Sequence, residues 1–487
     1  MQLVLFICLA LYTLILLVVT RITTRKATND AFFRGNRKSP WFVVAYGMIG
    51  ASLSGVTFMS VPGWVDSRGF SYMLTVLGYF LGYLVISFVL MPTYYKFNLT
   101  SIYKYLETRF GFFSHKTGSF FFLISRTIGA SLRMFIVIVV LQNFVFDSWG
   151  IPFEITVCIF LALILLFTFR GGIKTIIWTD TLQTTFMLAS LIMCFFMLGK
   201  AMNLDFGGLV SAIWKSDYNT YIYTDPASRL CWWKQLLGGM FITISMTGLD
   251  QEMMQKNLSC RNIKSAQKNM ITFSLTLFVV NFLFLLFGAA LYIYASQNGI
   301  EIQGDNLFPT VAIYHLSPIA GIVFIIGLIS ALYPSADGAL TSLTTAFSID
   351  FLNLEQRKDF SERKKEKVRH VIHLGFALLF IGIVIFYNYH QNKHLIDILF
   401  QIASITYGPL LGLFAFGLIT KRKVKDRLVP VVCILSPIIC FVLSRYSPQW
   451  FGYSFDFELL LLNGMLTFLG LFFVSKFQHT DDTDCQD

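Results

Sequence analysis

Thirteen runs of apolar residues succeed one another along the chain, separated by short polar links. They fall at about 2–20, 41–66, 70–94, 118–146, 152–169, 174–199, 233–254, 269–296, 318–348, 370–388, 394–419, 428–445 and 457–475. A helix needs about 20 such residues to cross the hydrocarbon core of a bilayer. The pattern predicts an all-α polytopic membrane protein with about 13 transmembrane helices. Two runs depart from the uniform pattern. Residues 46–66, AYGMIGASLSGVTFMSVPGWV, stay apolar yet carry Gly47, Gly50, Ser52, Ser54, Gly55, Thr57, Ser60, Pro62 and Gly63. Gly, Ser and Pro at this density weaken the backbone ladder, and a break at bilayer depth is tolerated only against protein or a wet cavity. Freed carbonyls and short hydroxyls are what a desolvated Na⁺ needs, and broken helices at the midplane mark secondary-transporter sites. The same composition also suits close helix packing. The seventh run, with Thr243, Ser245, Thr247, Gly248, Asp250 and Gln251, is a second weak stretch.

Composition agrees with the class: 55% of the 487 residues are hydrophobic and 13% charged, with a mean hydropathy of +0.65. The first run has no basic segment ahead of it and no small-x-small cleavage site, so it reads as an uncleaved helix. Placing the N-terminus outside puts 29 of the 38 Lys and Arg in cytoplasmic links, which satisfies the positive-inside rule. Those links are 21–40, 95–117, 170–174, 255–268, 349–369 and 420–427, with Lys476 beyond the last run. The net charge of +11 is therefore a topology signal. It is spread over separate pieces, and no nucleic-acid surface is expected. The segment 476–487 reads as an acidic cytoplasmic tail, with Thr480–Asp487 expected to be disordered.

The longest link, 200–232, has no room for an enzyme domain, and neither a Walker A loop nor HExxH occurs. Transport without an ATP site must draw on an ion gradient. The chemistry then rests on polar residues inside the runs: Arg126 and Arg133 in the fourth, Asp180 in the sixth, Asp337 in the ninth. An ionised group at midplane depth costs roughly 2.5–3.5 kcal/mol on insertion scales, so each needs a partner or a task. For the two aspartates the alternatives are a salt bridge, with Arg126 the available cation, or an ion site. None of the seven His lies deep in a run. Pro334 cannot donate to the carbonyl of Ser330 and should push that turn open. Carbonyls near Ser330 and Ala331 would then stand beside the Ser335 hydroxyl, as half of a hard-cation site facing residues 50–54.

Several segments in order carry a family resemblance: FRGNRKSPW (33–41), SLSGVTFMSVPG (52–63), TSIYKYLETRFG (100–111), GGIKTIIWTDTLQ (171–183) and TGLDQEMMQKNLSCRNIKSAQ (247–267). Over residues 1–475 the chain resembles the sodium–solute symporter family. The resemblance implies a LeuT-type core of two inverted five-helix repeats, at 41–199 and 233–419, joined by the extracellular link 200–232. Residues 1–40 would precede the core as one helix and a cytoplasmic loop, and 420–475 would add two helices. It implies a sodium site from the carbonyls of Gly50, Leu53 and Ala331 and hydroxyls at 334 and 335. Ser335 keeps its hydroxyl and Pro334 does not, so a carbonyl freed by the proline would substitute. It also implies a second cation, or a shared proton, at Asp180 and Asp337.

The glutamine and glutamate of the family's sugar carriers fall here on Thr57 and Val76, so the sugar pattern is missing. The run Leu53–Pro62 and the pair Arg133–Met134 instead resemble the family's sialic acid symporters, whose arginine holds the substrate carboxylate. The resemblance thus implies Na⁺-coupled import of an organic anion such as sialic acid, with Arg133, Ser54, Thr57 and Thr247 at the substrate. It implies residence in the lipid bilayer of the cell (inner) membrane, C-terminus in the cytoplasm. The alternatives are a proton-coupled or neutral-solute carrier of the same fold, and a membrane sensor that retains it.

Overall fold

The computed structural model describes residues 2–24, 29–226, 228–301, 304–390, 395–453, 455 and 458–476. The proposed tail 477–487, and Arg25 and Lys26 of the first basic link, lie outside the described residues. All thirteen apolar runs are helical. They form α1 (Gln2–Thr23), α2 (Trp41–Ser52), α3 (Gly55–Gly63), α4 (Tyr72–Val85), α5 (Phe112–Leu141), α6 (Phe153–Ala201) and α7 (Trp232–Thr243). After these come α8 (Gln251–Leu258), α9 (Ile263–Gln297), α10 (Pro318–Ala346), α11 (Glu362–Tyr389), α12 (Leu395–Ile419), α13 (Val429–Phe451) and α14 (Glu458–Phe473). Among the described residues, eight helical stretches are long and apolar enough to cross a membrane singly, and α2 with α3 makes a ninth across a 62° bend. Phe153–Phe169, Ala403–Ile419 and Glu458–Phe473 are shorter apolar helices.

Backbone chemistry shapes the joints between the pieces. The fifth and sixth runs are two helices, as expected, labelled together as α6 and meeting at a kink at Gly172 (φ 52°, ψ −147°). A Cβ there would strike the Phe32 ring and backbone, so only glycine serves this turn. The seventh run does not stop at 254. It breaks at Leu249–Asp250 and resumes as α8, capped by Asp250 Oδ1, which accepts from the Glu252 N–H at 2.9 Å and the Met253 N–H at 3.3 Å. An aspartate at this position satisfies amides that the break would leave bare.

The centre of the bundle is α10, where every residue from Gly327 to Ala346 is buried. Helices α2, α3, α5 and α6 pack around it. Helix α4 lies close against α7 because glycine faces glycine: a Cβ at Gly78 would hit the Leu236 carbonyl, and one at Gly239 the Thr75 carbonyl. Small residues let helix backbones approach where lipid offers no hydrophobic drive. Gly239→Val should therefore force α4 and α7 apart, lowering stability by about 1–3 kcal/mol and the detergent-solubilised unfolding temperature with it. An unchanged unfolding temperature would show that the pair is loosely packed.

Candidate substrate and ion site

The bend in the second run lies at Leu53 (φ −85°, ψ 90°) and Ser54 (φ −73°, ψ 169°), both extended. The Leu53 N–H still reaches the Ile49 carbonyl at 2.8 Å, while the Ser54 carbonyl accepts from Phe58 at the start of α3, 3.0 Å away. The last-turn carbonyls of α2, at residues 50–53, have no helical donor ahead of them. Helix α6 braces this point. The Gly50 N–H donates to Thr184 Oγ1 at 3.0 Å. Asp180 stands one turn before Thr184, its Cβ 3.1 Å from where a Cβ on Gly47 would lie.

Helix α10 faces the same break. Leu328 Cδ1 is 3.6 Å from where a Gly55 Cβ would lie, and Gly338 abuts Glu252 of α8. Ala331 and Ser335, three and seven residues on from Leu328, share its helical face between these contacts. The hydroxyls of Ser330 and Ser335 and both carboxylate oxygens of Asp337 are buried with no hydrogen-bond partner among the described residues. Pro334 does not open the helix as expected, because α10 runs unbroken from Pro318 to Ala346. The proline withholds one donor from Ser330, and packing on all sides keeps the turn helical.

Beside the break lies a cavity of about 140 Å³, lined by Ser54, Thr57, Ser60, Tyr83, Thr247, Asn281, Arg126 and Arg133 among others. The four residues assigned to substrate from sequence, Ser54, Thr57, Arg133 and Thr247, thus meet at one wall set. The Asn281 amide oxygen is buried there with no hydrogen-bond partner among the described residues. The turn Gly304–Asn306 packs on α3: the Tyr292 hydroxyl donates to the Gly63 carbonyl at 2.6 Å and accepts from the Gly304 N–H at 3.1 Å. Burial pushes the Asp305 carboxyl of this turn above its ordinary range, and Ser60 pulls the other way.

The two arginines of α5 have different surroundings. Arg126 is buried against Glu252, to which its guanidinium is bonded, and lies 3.7 Å from Asp250. Asp250 is held in turn by the Tyr407 hydroxyl at 2.7 Å. Arg133, seven residues on, is half-buried. No ion pair involves it among the described residues, while it faces both the main cavity and a small adjoining one with Tyr407 and Met246.

The sequence reading missed the cations and anions of α8. Lys256, counted with the cytoplasmic link 255–268, is fully buried, and its ammonium donates to Asp180 Oδ2 at 2.7 Å and to Glu252 Oε1 at 3.3 Å. The partner of Asp180 is therefore Lys256 and not Arg126. Asp180 Oδ1 has no hydrogen-bond partner among the described residues, and Asp337 lies within electrostatic reach of Asp180. A Glu-x-x-x-Lys spacing that places both groups on one helical face was the available signal. His373, which falls near the end of its run, is also buried, its ring nitrogens bonded to Thr168 at 2.8 Å and Thr344 at 2.9 Å.

The profile described as the Sodium:solute symporter family matches residues 32–426. The chain is 24% identical over 445 residues to the sodium/sialic acid symporter SiaT of Proteus mirabilis, covering 89% of this chain and 87% of that protein. It is 24% identical over 441 residues to the sodium-coupled monocarboxylate transporter 1 of Xenopus laevis, covering 87% and 67%. Its fold matches a substrate-bound outward-open Na⁺-coupled sialic acid symporter with a TM-score of 0.84 at 20% identity, over 97% and 98% of the two chains. It also matches the nucleobase-cation-symport-1 family transporter Mhp1 at 0.59 and 13%, over 90% and 92%. These two likenesses establish the LeuT-type fold.

The contrast between the arginines has a measurable consequence. Arg126→Gln removes a buried cation from Glu252 and Asp250, leaving them Lys256 and Tyr407, and should cost about 3–5 kcal/mol, the loss seen when one member of a buried pair is removed. Arg133→Gln strands no acid and should stay within about 1 kcal/mol of wild type. Thermal unfolding of the two purified variants checks this; equal losses would mean that Arg133 has a structural partner.

Proposed function

This chain belongs to the sodium:solute symporter family, and from that premise we propose that it imports a small organic carboxylate held by Arg133. As a member of the family it is a multi-pass transporter that couples solute movement to sodium. The observation that carries the substrate reading is the unneutralised guanidinium of Arg133 on the cavity wall, one helix face from an arginine whose charge is fully met. A planar guanidinium in a dry pocket pairs with a carboxylate through two parallel hydrogen bonds. Ser54, Thr57 and Thr247 supply hydroxyls for the rest of a polar solute. Sialic acid is the leading substrate, since sialic acid symporters are among the relatives by sequence and by fold.

A second reading has its own support. A cavity of about 150 Å³ takes a benzene-sized ligand, so the present 140 Å³ suits a short monocarboxylate without rearrangement. Sialic acid, several times larger, requires the walls to part. Uptake by proteoliposomes from a panel of N-acetylneuraminate, lactate, glucose and proline, with and without an inward Na⁺ gradient, separates the readings. Sodium-driven uptake of glucose or proline with neither acid transported would overturn both.

Sodium is assigned to the carbonyls of Gly50, Leu53 and Ala331 and the Ser335 hydroxyl. Pro334 supplies no hydroxyl, and its part is to leave the Ser330 carbonyl without a helical donor. All are hard oxygen donors of the kind such cations take. Asp180 Oδ1 and Asp337 form a candidate second cation or proton position, with one charge of Asp180 already met by Lys256. The inverted repeats are assigned to 41–199 and 233–419, and the basic links put the N-terminus outside and the C-terminus in the cytoplasm of the cell membrane.

Ser335→Ala should raise the Na⁺ concentration for half-maximal uptake by about tenfold, the worth of roughly 1.4 kcal/mol for one lost ligand. Uptake unchanged in choline buffer under a proton gradient would exclude the sodium assignment. Arg133→Lys keeps the charge and loses the fork, so substrate affinity should fall by about 10–100-fold, while Arg133→Gln should abolish uptake. Retained uptake in Arg133→Gln would exclude the arginine–carboxylate pairing.

A further inference from the structure

One carboxylate in the core serves two cations. Glu252 Oε2 is ion-paired with Arg126, which lines the cavity, and Oε1 lies 3.3 Å from the Lys256 ammonium. That ammonium also holds Asp180 at 2.7 Å. Asp180 in turn sits beside Gly47 and one turn from Thr184, whose hydroxyl accepts from Gly50 at the helix break. A chain of ion pairs therefore runs from Arg126 on the cavity wall through Glu252 and Lys256 to Asp180, one helical turn from the Thr184 that holds the Gly50 amide at the break.

We propose that Glu252 is the residue that couples substrate binding to sodium binding. The inference rests on the reading of the cavity as an anion site. A substrate carboxylate arriving beside Arg133 also draws on Arg126, seven residues away on the same helix. Arg126 then leans less on Glu252, and Glu252 leans more on Lys256. Lys256 is loosened from Asp180, which presents fuller negative charge beside the break and holds sodium more tightly. The coupling is reciprocal by linkage: sodium that draws Asp180 from Lys256 raises substrate affinity by the same factor.

The local architecture suits a carboxylate that shifts its weight and does not swing freely. Asp250 caps α8 at the Glu252 amide, and Tyr407 pins Asp250, so the backbone of Glu252 is held. Gly338 of α10 leaves the space that Glu252 Oε1 occupies, and any side chain there would collide with it.

The test is sodium binding to purified protein in nanodiscs, using radiolabelled Na⁺ with and without N-acetylneuraminate. In wild type, N-acetylneuraminate should tighten Na⁺ binding by at least about fivefold, the lower end of ordinary site-to-site coupling. Glu252→Asp keeps the charge but is one methylene short of spanning both cations, so this enhancement should fall below about twofold. Gly338→Ala displaces Oε1 from outside the network; it should lose the enhancement while substrate-free Na⁺ affinity stays within about twofold. Lys256→Gln should tighten substrate-free Na⁺ binding by about threefold or more, because it unmasks Asp180.

Full enhancement in both folded Glu252→Asp and Gly338→Ala would overturn the relay and leave static charge compensation. If N-acetylneuraminate fails to bind wild type, the substrate reading has failed, and the sodium-only measurement on Lys256→Gln decides the link to the break. No change there would overturn it.

Discussion

A charge removed from water must be met by another charge, and this requirement organises the core of the protein. Asp180, Asp250 and Glu252 are all buried, and two cations, Arg126 and Lys256, are buried with them. In the low dielectric of a bundle such groups attract strongly, and each stranded member is costly. The pairings tie together α5, α6 and α8 with its cap through residues more than seventy positions apart in the chain. They also show by contrast which ionisable groups are not met: Arg133 has no ion-pair partner, and Asp337 has no hydrogen-bond partner among the described residues. Function is sought at these two because the other charges have structural answers.

The second constraint is the backbone break at Leu53–Ser54. Bending a membrane helix by 62° exposes carbonyls that lipid cannot satisfy. The protein surrounds that point with Thr184 of α6 and the buried face of α10. The cavity opens beside the break, so the hydroxyls of Ser54 and Thr57 and the arginine of α5 converge on it. The oxygens proposed for sodium and those proposed for the solute thus share one interrupted helix. This is the arrangement in which rocking of helices around a fixed midplane site can couple two passengers.

Much of this was legible in the chain. Hydropathy alone located thirteen helical segments, and the Gly/Ser/Pro density of residues 46–66 marked the break. The depth of Arg133 along its run anticipated the cavity wall. What stayed hidden was tertiary. Lys256 and Glu252 lie at the end of an apolar run, where charged residues ordinarily belong to a loop, and nothing local shows that α8 turns inward and buries them. Their partners are set by packing of distant segments. Pro334 misled for a related reason: the local rule predicts an opened turn, yet neighbours on every side hold α10 helical.

The central claim is that the substrate's own carboxylate completes the charge pairing of Arg133. Its most direct test is the matched pair of N-acetylneuraminate and its uncharged methyl ester, nearly equal in size and hydroxyl pattern. Calorimetric titration of the purified protein in saturating Na⁺ should show binding of the acid, with the ester weaker by about 10-fold or more, since hydrogen bonds to a charged group are worth roughly 1.5–3 kcal/mol. Equal affinity for acid and ester would contradict the account and assign the cavity to a neutral solute.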